Sequence, residues 1–149
     1  MKKMLGTKNV SEKRGERGQS LVEIAISLTV IMMLVVGAVD FSIAYFTYAA
    51  LEDAAQEGAL YGSINPTDTA GIITRVRSAS TNPVDLSDAA EVDVQVVLTG
   101  SPCEGHPIQV EVLYDYPISM PFLGTIIGSQ SIPLKATVTD TILTPMCSS

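Results

Sequence analysis

Between Arg14 and Val30 the sequence RGERGQSLVEIAISLTV sets a basic flank, a glycine, a small polar pair and an apolar run holding one acid. Two chemistries follow from that order. Gly18 has no side chain, so a peptidase embedded at a membrane face can close around the extended backbone and cut between Gly18 and Gln19. Arg14 and Arg17 would hold that bond at the anionic cytoplasmic leaflet. The second chemistry belongs to Glu23, the fifth residue counting from Gln19. An isolated carboxylate in hydrocarbon is costly and needs a partner. Cleavage creates one, the new α-amino group of Gln19. If Glu23 of one subunit meets the amine of a neighbour, any other axial register leaves both charges unpaired. The plainer reading of Glu23 is a helix-end carboxylate among lipid headgroups.

The rest of the chain offers little chemistry. No Ser/His/Asp arrangement, phosphate-binding glycine loop or paired-carboxylate cleft emerges, so neither catalysis nor a cofactor is expected. His106 stands in the loop SPCEGHP without a recognisable ligand spacing, and no metal site is expected. The acids from Glu52 to Glu57 read as a solvated helix face rather than a cation site. Cys103 and Cys147 are the two cysteines, outside any CxxC motif. In an exported body they form one disulfide tying the C-terminus to the sheet region; the alternative is two unconnected thiols.

Those residues need a membrane to act in, and the charge pattern supplies one. The chain has 149 residues, a net charge of −7, 46% hydrophobic residues and only 17% charged ones. Six of its nine basic residues (Lys2, Lys3, Lys8, Lys13, Arg14 and Arg17) precede Gln19. Beyond them Arg75, Arg77 and Lys135 face fourteen acids. A basic end and an acidic body argue against nucleic-acid binding. Residues 1–18 lack the apolar stretch of a secretory signal. The run Ile24 to Val39 carries no charge, and Leu21 to Tyr48 is long enough to cross a bilayer. In lipid such a segment must be helical. With every nearby Lys and Arg before it, the N-terminus lies in the cytoplasm and the body outside.

One helix from about Gln19 to Tyr61 is expected, with its apolar first half spanning at about 21–44 and Asp40 at the outer membrane edge. Its amphipathic second half places Tyr45, Ala49, Glu52, Gln56 and Ala59 along one face, with Gly62 as the stop. Asn65-Pro66 breaks the chain. A short helix capped by Thr67 or Asp68 should bury Ile72, Ile73 and Val76. Beyond Asn82-Pro83 the apolar period becomes two: Val92, Val94, Val96; Ile108, Val110, Val112; Ile132, Leu134, Ala136, Val138. The expected class is α+β, a long N-terminal helix packed on a small antiparallel sheet of about three strands. Three strands cannot cover their own apolar face, so the outer half of the helix must do so. The connection Pro121 to Gly128 reads as a helical turn. The expected organisation is residues 1–18 as a leader, 19–62 as the long helix and 63–149 as an extracytoplasmic α+β domain.

The order of basic flank, Gly18-Gln19 and Glu23 resembles a prepilin leader. With RGQSLVE, VVGAVDFSIAYFTYAALEDAAQEGALYG and VEVLYDYPISMPFLG…IPLKATVTD, the chain is similar to the TadE-like pseudopilins of the tight-adherence (Flp) system. Leu60 departs from the family, whose members often carry arginine there. The resemblance implies a non-enzymatic pseudopilin or minor pilin, cut by a prepilin peptidase between Gly18 and Gln19. It implies a single pass through the inner membrane, with the subunit reaching the cell surface on assembly. Its partners would be membrane lipid, other pilins or pseudopilins, and the assembly platform with its ATPase, in support of adhesion or secretion. Ala25, Ser27 and Gly37 would let assembled helices approach closely. The competing reading is a permanently anchored, envelope-exposed binding or adhesion domain.

Overall fold

The computed structural model describes residues 12–119 and 123–147. Lys2, Lys3 and Lys8 of the expected leader lie outside them. The described chain divides into two compact units between Ala38 and Val39. Helix α1 (Glu12–Ile64) contributes to both. It is followed by α2 (Thr69–Ser78), β1 (Val92–Leu98), β2 (Pro107–Pro117), the short α3 (Leu123–Ile127) and β3 (Ser131–Thr141).

In the first unit the apolar residues of α1 are exposed on every side, from Val36 at 46% to Leu34 at 69%. A helix apolar all round is made for lipid or for other helices. The span-length window here has a mean hydropathy of 2.5 and none of it is buried. Thr29 returns its hydroxyl to the carbonyl of Ala25 at 2.8 Å, so its polar group does not compete with that role.

In the second unit the period-two runs form an antiparallel meander of order β1-β2-β3. Val94 pairs with Val112 and Val112 with Ala136, which aligns the apolar positions on one face. Ile108, Val110, Val112 and Ala136 are fully buried. Their cover comes from α1 and α2 in one cluster with Leu51, Ala54, Ala55, Ala59, Ile72 and Val76. The class is therefore α+β, a long N-terminal helix with a three-stranded antiparallel sheet.

Two details differ from the sequence expectation. The buried stripe of α1 is Thr47, Leu51, Ala54, Ala55, Gly58, Ala59, Gly62 and Ser63, while Tyr45, Glu52 and Gln56 face away. Small residues won the inward face because the helix lies close to its neighbours. Gly62, read as the helix stop, lies inside α1, which continues to Ile64. A Cβ on Gly62 would stand 2.6 Å from Ile108 Cδ1, and one on Gly58 would stand 2.5 Å from Val76 Cγ2. Both glycines are there for close approach, and their four-residue spacing serves packing within the chain. The helix end is closed instead by the C-terminal segment. Leu143 N–H donates to the carbonyl of Ser63 at 2.8 Å, and Thr144 Oγ1 donates to that of Ile64 at 3.0 Å. These are carbonyls that a helix terminus leaves without an intrahelical partner.

Candidate functional site: the N-terminal helix and its attachments

Gly18, Gln19 and Glu23 all lie in α1 and all are exposed. A Cβ on Gly18 would meet nothing within 4 Å, so the fold itself does not require glycine there. Four residues separate Gln19 from Glu23, which puts both on one helix face about 6 Å apart along the axis. Among the described residues the ion pairs are Glu57–Arg75 at 3.9 Å and Glu111–Lys135 at 2.9 Å, and neither includes Glu23.

Asp40, expected as an interfacial residue, has a protein partner. The hydroxyl of Tyr116, at the end of β2, donates to Asp40 Oδ1 at 3.1 Å. Tyr116 is buried, and burial first, then the bond to the Asp40 carboxylate, pushes its phenol above the ordinary value. This contact joins residues 76 apart and had no local signal in the sequence.

A second attachment fixes α2 to α1. Asp68 is the N-cap, accepting from Gly71 N–H at 2.9 Å and from the Tyr61 hydroxyl at 2.8 Å. The Gly71 N–H first, then Tyr61, holds the Asp68 carboxyl below its usual range. Tyr61 moves the opposite way, chiefly because its hydroxyl is bonded to Asp68. The Arg75 guanidinium lies 5.4 Å from the centre of the Tyr61 ring, a cation–π arrangement that also reaches Glu57.

At the far end of the sheet Cys103 and Cys147 form a disulfide, with Cα atoms 5.1 Å apart. It anchors the segment that closes α1, since Glu104 N–H also bonds the Pro145 carbonyl at 2.8 Å. His106 stands beside both sulfurs, its Nδ1 at 3.6 Å from Cys103 Sγ and 4.0 Å from Cys147 Sγ. The sequence alone gives His106 no neighbour of this kind. The three donor atoms lie within 4.8 Å of one another, but joined sulfurs offer no thiolate to a metal. The acids Glu52, Asp53 and Glu57 are spread over the exposed side of α1.

Two features define a class: in the first unit a bare, span-length helix, and in the second a small sheet pinned at several points to residues 40–64 of α1. Such a helix suits a membrane anchor. Residues 18–60 match the family model described as TadE-like protein. The family resemblance drawn from the sequence is met over that stretch. No curated protein and no solved structure matches the chain.

Proposed function

We propose that this chain is a pseudopilin or minor pilin of a tight-adherence pilus. It is inserted in the inner membrane with its N-terminus in the cytoplasm, cut between Gly18 and Gln19, and assembled through α1. The observation that carries the reading is the family match, which starts at Gly18 and includes Glu23.

The chemistry runs through the head of the helix. A prepilin peptidase must draw residues around Gly18 out of helical geometry. Glycine eases this step, being about 1 kcal/mol less favourable than alanine in a helix interior. Hydrolysis leaves a carboxylate on Gly18 and a protonated amine on Gln19, removing the basic leader from the end of an apolar rod. An acidic side chain at the bilayer centre costs about 2.5–3.5 kcal/mol on insertion scales. That cost favours the one axial shift in which Glu23 meets the amine of a neighbouring chain. The bare helix supplies cohesion in the bundle, with Ala25, Ser27 and Gly37 permitting close approach. An ATPase-driven platform extracts subunits from the membrane, and the sheet domain is displayed outside.

Size and location test this. Material sheared from the cell surface should contain the chain in a shortened form beginning at Gln19. A chain found only in membranes and at full length would instead be the permanently anchored binding domain.

A further inference from the structure

The clasp that closes α1 gathers three side chains of the kinds that hold soft metals, two of them joined to each other. Cys103 and His106 stand at the two ends of one tight turn. His106 N–H donates to the Cys103 carbonyl at 3.3 Å, and Gly105 between them takes the left-handed conformation, with φ +83°. The turn brings His106 Nδ1 to 3.6 Å from Cys103 Sγ. The opposite edge of the imidazole lies against Gly100, where a Cβ would stand 2.6 Å from His106 Cδ2. The ring therefore offers Nδ1 to the sulfurs, and Cys147 Sγ is 4.0 Å from that same nitrogen.

The backbone keeps these groups together without help from the sulfur–sulfur bond. Gly105 N–H donates to the Ile142 carbonyl at 3.0 Å, Ile142 N–H to the His106 carbonyl at 2.9 Å, and Glu104 N–H to the Pro145 carbonyl at 2.8 Å. Ile142 is fully buried, which anchors the same segment by its side chain. Reduction of the disulfide thus leaves two thiols and an imidazole facing one another. Tetrahedral zinc, at about 2.3 Å from thiolate sulfur and about 2.0–2.1 Å from imidazole nitrogen, needs sulfur and nitrogen about 3.5 Å apart and the two sulfurs about 3.8 Å apart. His106 already stands near the first distance from both sulfurs. Only the sulfurs have to part. Cys103 is buried, but Cys147 is exposed and lies past the Pro145 bond, so it can withdraw.

We infer that the reduced clasp is a zinc site, with Cys103 Sγ, Cys147 Sγ and His106 Nδ1 as ligands and water in the fourth position. A dithiol opens the disulfide by exchange: its own two sulfurs become joined, and its two hydrogens pass to Cys103 and Cys147. Zn²⁺ then displaces one proton from each thiol. In the reverse direction an oxidising disulfide takes two electrons from the two thiolates and becomes a dithiol by taking up two protons. The Cys103–Cys147 bond re-forms and the ion leaves. Two thiolates and an imidazole select zinc over the harder cations that carboxylates of the acidic body attract. A newly made chain carries its cysteines as thiols, so the metal would hold the cap on α1 until the disulfide replaces it. The inference concerns the second unit alone and does not depend on how the span is used.

The full chain in detergent is reduced with a phosphine, which leaves as its oxide with an oxygen from water, and is titrated with Co²⁺ as a coloured stand-in for zinc. The reduced chain should take up one Co²⁺, with thiolate-to-metal charge-transfer absorption and the intense visible bands of tetrahedral cobalt, all bleached by Zn²⁺. The oxidised chain should show neither. His106→Ala should weaken zinc binding by more than about tenfold, the scale on which even the hydrogen-bond partners of a ligand act. X-ray absorption of the parent's zinc form should show two sulfurs and one imidazole nitrogen, whether or not that variant folds. Pale cobalt without charge transfer means that carboxylates hold the ion adventitiously, which overturns the inference. One ion shared by two chains, or an affinity indifferent to His106→Ala, does so too. A reduced chain that loses its near-UV circular dichroism and regains it with Zn²⁺ supports the site. One that stays folded without taking up metal, or stays unfolded with it, overturns the inference.

Discussion

Replacing Gly58 by alanine opposes two effects of known size, and the geometry decides between them. An ideal Cβ on Gly58 would lie 2.5 Å from Val76 Cγ2, with Val110 Cγ1 at 3.4 Å and Ile72 Cγ2 at 3.5 Å. Carbon atoms pack best at about 3.5–4.0 Å, so the added methyl overlaps Val76 by about 1 Å. Val76 is fully buried and β-branched, with one strongly preferred rotamer in a helix. Its neighbours are already in contact, which leaves it nowhere to turn. Overpacking of this kind costs about 1–3 kcal/mol, against about 1 kcal/mol gained by alanine in a helix interior. With Val76 unable to turn, the overpacking cost falls in the upper part of that range, so the expected net loss is about 1–2 kcal/mol, a fall in Tm of several degrees. At Gly62 the nearest atom is Ile108 Cδ1 at 2.6 Å, the mobile end of a longer side chain, so the two effects nearly cancel in Gly62→Ala. Adding Val76→Ala to Gly58→Ala removes the obstructing methyl and should give a favourable coupling in a double-mutant cycle. Near-UV circular dichroism of the full chain in detergent, followed on heating, measures the parent and the four variants, Val76→Ala alone included. A Gly58→Ala variant at least as stable as the parent, or equal losses at both glycines, would refute the close-packing account.

Further expectations concern the head of the helix, the clasp and the cap. Glu23→Leu should be processed like the parent but fail to enter sheared pili, as read by immunoblot; normal incorporation removes the register argument. Gly18→Leu should leave the thermal transition unchanged, since nothing lies within 4 Å of that position, while precursor accumulates in cells. Cys103→Ser frees the segment that caps α1. With the cysteines 44 positions apart in sequence, loop entropy sets the loss at about 4 kcal/mol at most, and a transition unmoved by the substitution contradicts the clasp. The Asp68 carboxyl is held below its ordinary value of 3.8 in the folded chain. Its contribution is therefore full above that value and disappears as pH falls through the lower, folded one. Parent stability should drop on that acid side more than that of Asp68→Asn, and parallel pH profiles would count against the cap.

The strands were legible because valine and isoleucine alternate with polar residues, and a half-buried sheet imposes that period. Asp68 and the buried positions Ile72 and Val76 were legible for a similar reason, as a cap followed by helical spacing. Features set by distant partners were not. Gly62 looked like a helix stop because glycine often is one, and only Ile108, folded over it from β2, explains why the helix passes through. The true end of α1 is closed by Leu143 and Thr144, about 80 residues away, which no local pattern encodes. Asp40 announced an interruption in the apolar run but not its bond to Tyr116. His106 gave no sign of lying beside the disulfide, since Cys147 arrives there from the other end of the chain.

The central claim is that the working protein is the chain relieved of its leader, with Glu23 answered by a new amine. N-terminal mass spectrometry of the cellular protein, with and without the host's prepilin peptidase, tests this most directly. The account predicts a first residue of Gln19 when the peptidase is present and an intact leader when it is absent. An intact leader on chains recovered from assembled pili would contradict it.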